Sequence, residues 1–423
     1  MPKRYHKLLI DMNILINAYA VSPSWGSEPG MGWNWISNIA KYCNLYIITE
    51  GEWKDDIKKA LENHPYKEHI HFFYLPVSDK VRRICWNQGD YRFYYYYQRW
   101  QKEARKVAQR IMDEVNIDII HHLNMVTFRE PGYCWSFDKP FVWGPICGMA
   151  QDPINYLEGA PIPTKAKLYI KGLLSIFQLR FYRRINHAFN KADAIIAAVP
   201  EVREKIKKYK NKESIWIPET GCYDLQTAVS DKRQRREFNI LWTGRFLYTK
   251  RLDIALRTIA KVKDLPNLHF HIVGTGYDNE VFYYKTLCKE LGIEDICIWH
   301  GKVENKKVHE MMRDADLFFF TSISEATSTV IPEAINNCLP ILCFNINGFG
   351  PLVSSSIGRK VELSNPEQSV KDFAREIKEL YANKQSLFEM SNNCKEALKE
   401  LLWENKARQV YNMYQQILER NNE

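Results

Sequence analysis

Short, nearly unbroken apolar runs alternate along the chain with longer stretches whose apolar residues recur at helical spacing. Runs of the first kind suit strands buried on both faces of a parallel sheet, and stretches of the second kind suit amphipathic helices. In the first half the strand pattern falls at Ile14–Tyr19, Leu45–Thr49, His71–Leu75, Ile117–His121, Phe141–Trp143 and Ala194–Val199. Helical patterns cover Met31–Lys41, Trp53–Glu62, Tyr91–Glu114 and Leu168–Lys191.

The alternation then restarts. Asn239–Thr243, His269–Val273, Ile296–His300, Leu317–Thr321 and Ile341–Phe344 read as strands. Helices are predicted at Leu252–Lys263, Val281–Leu291, Val308–Arg313 and Pro332–Asn337, and two more near Val370–Ala382 and Trp403–Arg420. Strands alternating with helices predict an α/β architecture with parallel sheets. A length of 423 residues exceeds what one core comfortably supports. Each half also introduces a strand in the same way, through Lys191-Ala192-Asp193 and through Asp314-Ala315-Asp316. We therefore expect two separately folded units of similar plan, 1–217 and 218–403, with the last helix, 404–423, returning to the first. Pro218 and Gly221 interrupt regular structure at the join.

Composition narrows the class. The chain is 45% hydrophobic and 26% charged, the balance of an ordinary globular protein. Ten cysteines without a C-x-x-C pair suit a reduced, cytoplasmic protein. A net charge of +9 implies an anionic partner. Lys3, Arg4 and Lys7 precede an apolar stretch ending in Ala18-Tyr19-Ala20, which mimics a signal peptide, but Asp11, Asn13 and Asn17 interrupt it. The reading is a buried first strand starting near Met12, with residues 1–11 an extension or a tail; mass spectrometry of the native N-terminus decides between them.

Candidate chemistry concentrates in the second half. Gly244-Arg245 follows a strand and Lys250 comes five residues later, so one loop can aim two cations at a diphosphate and stabilise it as a departing anion. Gly274-Thr275-Gly276 follows the next strand, where glycine lets backbone approach a ligand; it is too short for a dinucleotide fingerprint. Glu325 and Glu333 flank a third strand end and a helix start, with the backbone of Ser328, Thr329 and Val330 between them. Ligands of open α/β sheets lie beyond the carboxyl ends of strands, and free N–H groups at helix starts bind phosphate. In isolation each of these features is more often a solvated surface group or a turn.

Together they resemble a family. Gly244-Arg245 with Lys250, Gly274-x-Gly276, Trp299-His300-Gly301 and the E-x7-E of Glu325 and Glu333 occur in the order seen in retaining GT-B glycosyltransferases of family 4. In the first half, Asn17-Ala18-Tyr19 with Gly26-Ser27-Glu28-Pro29-Gly30 looks like that family's loop after the first strand. Asp118-Ile-Ile-His121-His122, Phe128-Arg129-Glu130-Pro131 and Trp143-Gly144-Pro145-Ile146 are similar to a subgroup active in bacterial surface polysaccharide synthesis. The resemblance spans roughly residues 12–350.

It implies a GT-B fold, two Rossmann-like parallel-sheet domains facing across a cleft. It implies a metal-independent retaining hexosyltransferase whose donor is a nucleotide diphosphate sugar, a UDP or GDP sugar, with no other cofactor. Arg245 and Lys250 would grip the diphosphate and Glu333 the ribose. Glu325 and His121 would face the transferred sugar, and Gly301 and Lys302 the base. Gly26 would lie over the cleft near phosphate or acceptor. The acceptor would be a glycan or a lipid-linked glycan, on the cytoplasmic side of the membrane or at its inner face. Three departures stand out: Ala326, Thr327 and Ser328 replace glycines, Lys250-Arg251 replaces Lys-Gly, and Cys338-Leu339-Pro340 replaces Gly-Leu-Pro. Asp314-Ala315-Asp316 spells a metal-binding D-x-D but precedes its strand, so it reads as a structural junction.

Two stretches combine cations and apolar residues. One runs from Tyr91 to Lys106; the other sets Lys165, Lys167, Lys171, Arg180, Arg183 and Arg184 among Leu168, Tyr169, Ile170, Leu173, Leu174 and Phe177. Such helices either lie on anionic membranes or belong to the core with snorkelling cations; the core reading is preferred. No motif for nucleic acid accompanies the charge, and none is expected as a partner. A sugar-nucleotide epimerase of the same plan and a non-catalytic nucleotide-binding protein remain as alternatives.

Overall fold

A computed structural model describes residues 12–86, 92–149, 153–157, 162–325, 328–346 and 348–422. Residues 1–11, Tyr91, Ala326 and Thr327, on which expectations above fall, lie outside the described residues, as do the side chains of Lys165 and Lys167.

The chain folds as two units. The first comprises the described residues of Met1–Ala150, Leu173–Glu219 and Trp403–Glu423, and the second those of Gln151–Gly172 and Thr220–Leu402. In chain order the elements up to residue 219 are β1 (Asn13–Ala18), α1 (Ser27–Ile39), β2 (Asn44–Thr49), α2 (Lys54–Glu62), β3 (Ile70–Tyr74), α3 (Asp79–Trp86), α4 (Arg92–Glu114), β4 (Ile119–Asn124), β5 (Phe141–Ile146), α5 (Ile162–Phe181), α6 (Arg183–Lys191), β6 (Ala194–Ala197), α7 (Pro200–Lys210) and β7 (Ile215–Trp216). The rest are β8 (Phe238–Thr243), α8 (Leu252–Lys261), β9 (Leu268–Val273), α9 (Asp278–Glu290), β10 (Cys297–Gly301), α10 (Asn305–Asp314), β11 (Leu317–Phe320), α11 (Val330–Asn336), β12 (Ile341–Phe344), β13 (Gly358–Val361), α12 (Pro366–Ala382), α13 (Lys384–Leu401) and α14 (Trp403–Asn422).

The first unit holds a seven-stranded sheet ordered β3-β2-β1-β4-β5-β6-β7, and the second a six-stranded sheet ordered β10-β9-β8-β11-β12-β13. Neighbouring strands pair in parallel throughout. Both are Rossmann-like, and in both the order reverses after the first strand: between β1 and β4, and between β8 and β11. The apolar runs form strands because helices cover both sheet faces; Ile14, Leu15 and Ile16 are all fully buried although they alternate sides. Separate clusters fill the two faces of the first sheet, one including Trp100, Trp143 and Phe189, the other Trp35, Trp403 and Tyr414. α14 therefore completes the first unit, with Tyr411 stacked on Tyr42 at 5.1 Å and Trp403 edge-on to Trp35 at 5.7 Å.

A repeated aspartate fixes where strands begin. Asp118 accepts a hydrogen bond from the Asn13 amide, Asp193 from that of Phe141 and Asp316 from that of Asn239, each at 2.8 Å. Asp314-Ala315-Asp316 is thus a junction at the amino end of the sheet.

Two features differ from expectation. The helical pattern at Leu168–Lys191 is two helices, α5 and α6, parted at Tyr182, whose extended backbone caps α6. The dividing line also does not fall at residue 217 alone: Tyr156 sits in the core of the second unit, its hydroxyl 2.5 Å from Ser369 Oγ and its ring edge-on to Phe344.

Candidate functional site

The reversal of strand order opens a crevice at the carboxyl ends of β8 and β11, because the connections leaving these strands diverge to opposite faces of the sheet. The predicted residues of the second unit are distributed about it. Gly244, Arg245 and Lys250 follow β8, Gly274 and Gly276 follow β9, and Gly301 and Lys302 end β10. Glu325 follows β11, and Ser328, Thr329, Val330 and Glu333 open α11.

The strand ends are laced together. The Gly244 amide donates to Val273 O at 3.0 Å and the Gly274 amide to Gly301 O at 2.8 Å. Gly274 has φ +134°, and a Cβ there would meet Gly244 O at 1.8 Å, so only glycine permits this approach. A second lacing ties the loop after β8 to the loop after β11. Thr321 Oγ1 accepts from Trp242 Nε1 at 3.0 Å and lies 2.8 Å from Lys250 O; the Ile323 amide donates to Thr249 O at 2.8 Å.

These bonds bring Lys250 and Glu325 into direct contact. The Lys250 ammonium donates to Glu325 Oε1, with both side chains largely buried. Ser322 Oγ lies 2.8 Å from the same carboxylate oxygen, and Lys250 Nζ lies 5.2 Å from the centre of the Phe320 ring. Ser322, which the sequence reading passed over, therefore orients Glu325; its only signal was its place at a strand's carboxyl end. Arg245 is exposed, and no described residue partners its guanidinium. Glu333 is mostly buried, its carboxyl has no hydrogen-bond partner among the described residues, and burial pushes that carboxyl up to about 7. A paired charge, an exposed cation and a carboxyl with a raised pKa thus follow the strand ends that flank the crevice.

Two of the three departures from the family pattern share a physical form. Arg251 has φ +49° and Cys338 φ +54°, the left-handed backbone that glycine adopts most readily. Arg251 offsets that strain with its side chain, which pairs with Asp253 and donates to Tyr156 O at 3.0 Å. Cys338 ends α11, its amide donating to Ile335 O.

Two predicted positions of the first unit have defined local surroundings. His121 is fully buried, its Nε2–H donates to Gly144 O at 2.7 Å, and its Nδ1 lies 2.5 Å from the Tyr414 hydroxyl. Burial lowers its pKa to about 4, so it is a neutral strut between β4, β5 and α14. His122 is buried as well and donates to Glu130 O at 3.0 Å. Gly26 is the exposed N-cap of α1, with open space where a Cβ would be. The position that demands glycine is Gly30, where a Cβ would meet Trp25 O at 2.1 Å. Glu28, in the first turn of α1, is a buried carboxyl that accepts from the Val126 amide at 2.5 Å and is raised to about 7 by burial.

Comparison with known proteins bears on the second unit most directly. Residues 228–401 match the model of the family described as glycosyl transferases group 1. That segment is thus similar to group 1 glycosyl transferases. It contains every second-unit site residue named above. An uncharacterized glycosyltransferase of Methanocaldococcus jannaschii is 23% identical over 187 residues, 44% of this chain and 47% of that protein. TuaC of Bacillus subtilis, provisionally named a teichuronic acid biosynthesis glycosyltransferase, is 23% identical over 205 residues, 46% of this chain and 49% of that protein. The chain spans about half the length of the curated relatives it matches. In fold, it resembles HepE of Anabaena, whose crystal structure contains UDP: TM-score 0.62 and 15% identity, over 96% of this chain and 100% of that one. The two Rossmann-like units thus match the fold of GT-B glycosyltransferases.

Proposed function

We propose that the chain is a retaining hexosyltransferase that moves a sugar from a nucleotide diphosphate sugar, a UDP or GDP sugar, to a glycan or lipid-linked acceptor in surface polysaccharide synthesis. The observation that carries the reading is the Lys250–Glu325 pair at the strand ends flanking the β8–β11 crevice, with the exposed Arg245 and the raised-pKa carboxyl of Glu333 on the same loops, in a segment that matches the group 1 model. The solved complexes of HepE with UDP and UDP-glucose are consistent with a nucleotide-sugar donor.

In this mechanism Arg245 and Lys250 bind the diphosphate and stabilise the negative charge that grows on it as the glycosidic bond breaks. No metal is needed for that step. The leaving phosphate takes the proton of the acceptor hydroxyl on the same face of the sugar, giving retention. Glu325 holds Lys250 in place and accepts hydrogen bonds from the sugar; it is not a covalent nucleophile. Glu333 accepts from the ribose hydroxyls, the backbone at Gly301 and Lys302 meets the base, and the amides near Ser328, Thr329 and Val330 meet phosphate.

The test incubates the full chain with UDP and GDP sugars in EDTA and follows the products. Release of nucleoside diphosphate supports the transferase, with slower release by Glu325→Gln at little-changed nucleotide affinity. Isomerisation without release would replace it by an epimerase, and binding without turnover by a non-catalytic protein. Dependence of release on added divalent metal would remove the metal-free step.

A further inference from the structure

The outward face of α5 from Leu173 to Phe181, with Tyr182, belongs to neither the crevice nor the core. Leu173, Leu174, Phe177 and Phe181 are 51–57% exposed, and Tyr182 is 49% exposed. At about 100° per residue the first four fall within an arc of about 100° on α5. The opposite side is polar and turned inward. Arg129 Nε donates to Gln178 Oε1 at 2.9 Å, its Nη2 donates to Ser175 Oγ, and Leu179 is buried beside them. Arg184, just beyond, pairs with the buried Glu130 at 2.6 Å. The helix is therefore amphipathic in the reverse sense for a water-soluble fold, clamped by polar groups with its apolar face outward. This overturns the reading of the stretch as core; α4, by contrast, buries Phe93, Tyr97, Trp100 and Ala104 as a core helix does.

The charge around that face has one sign. No acidic residue occurs between Glu158 and Asp193. Arg180, whose guanidinium lies 5.5 Å from the Phe181 ring centre, borders the apolar arc, and Arg183 and Lys191 are exposed along α6. Cations flanking an apolar stripe match a lipid surface, with the rings and leucines among the acyl chains and the cations at anionic headgroups. A protein partner buried against the same face would leave those cations unpaired unless it were itself acidic. Among the described residues no helix is long and apolar enough to cross a membrane.

We infer that the outward face of Leu173–Tyr182, with Arg180 and Arg183, is an anchoring surface that lays the first unit on an anionic bilayer. This deepens the acceptor side of the proposed transferase, since a surface-bound enzyme meets lipid-linked acceptors in two dimensions. It does not depend on the sugar chemistry, and it is tested without donor.

Flotation of the full-length protein with vesicles of phosphatidylcholine, with and without phosphatidylglycerol, reads the contact. The wild type should float with the anionic vesicles and much less with the neutral ones. Leu174→Glu with Phe177→Glu should abolish flotation, and Arg180→Gln with Arg183→Gln should weaken it roughly thirty-fold, about fivefold per cation. Because these side chains are half-exposed, melting temperatures should stay close to wild type, and nucleotide binding by thermal shift should be unchanged in both variants. Failure of wild type to float, or flotation that both double variants retain, overturns the inference. So does a wild-type dimer in sedimentation that Leu174→Glu with Phe177→Glu converts to monomer without any vesicle binding, since the face would then belong to a second copy.

Discussion

Replacing Glu333 by glutamine should separate its charge from its shape. In the free protein the carboxyl is raised from 4.5 to about 7 by burial alone, so near pH 7 it is about half protonated. Ribose hydroxyls donating to it would favour the carboxylate and return its pKa towards 4.5. Nucleotide binding at pH 7 should then release about half a proton from this group, and affinity should rise about tenfold between pH 6 and pH 8. Titration calorimetry with UDP in buffers of different ionisation enthalpy gives the proton number. The nucleotide's own phosphate titration is common to both proteins and cancels in the difference. Glu333→Gln should lose the half-proton and the pH slope, and bind UDP roughly tenfold more weakly at pH 8. Stability moves with the opposite sign. A raised native pKa contributes stability that is present below about 4.5 and lost as pH rises through about 7. The variant should therefore gain on wild type above pH 7 in urea unfolding, by at most roughly 3 kcal/mol. Equal proton release by the two proteins would refute the assignment of Glu333 to the nucleotide.

Other predictions rest on single contacts. Lys250→Ala removes the cation that meets the leaving group and should lower kcat about 10²–10³-fold while changing UDP affinity far less; an unchanged kcat removes Lys250 from the chemistry. Arg245 has no side-chain partner among the described residues, so Arg245→Ala should leave the melting temperature alone and weaken UDP binding about tenfold or more, measured by calorimetry. His121→Phe strands the Tyr414 hydroxyl and the Gly144 carbonyl and should destabilise the fold by about 2–4 kcal/mol in urea unfolding. Its nucleotide affinity should match wild type; a specific loss of turnover without loss of stability would restore His121 to the site.

The strands flanking the crevice were legible because parallel strands covered on both faces need apolar residues at every position, as in Leu317-Phe318-Phe319-Phe320. The edge strand Gly358–Val361 was not, since half-buried Arg359 and exposed Lys360 break the run. β7, only two residues long, offers no pattern at all. The start of α1 was hidden by Pro29 and Gly30, which read as a loop although the first turn of a helix accepts proline. Order along the chain placed Lys250 and Glu325 at strand ends, but their contact depends on β8 and β11 being neighbours, which sequence spacing does not encode. The burial of His121 was hidden for a related reason: a strand pattern fixes that its residues alternate, not that α14 would return to cover one face.

That return has a consequence for biosynthesis. Tyr414, Trp403 and Tyr411 supply one side of the core that Ile14, Trp35 and His121 begin, across a separation of 293 residues between His121 and Tyr414. While the ribosome is still reading the second unit, the first lacks its closing helix and exposes surface that α14 covers, including Trp35 and Tyr42. The later-made half can close its sheet while its predecessor waits, so the order of folding should invert the order of synthesis. Chaperone demand should then fall on the nascent amino-terminal half until α14 is translated.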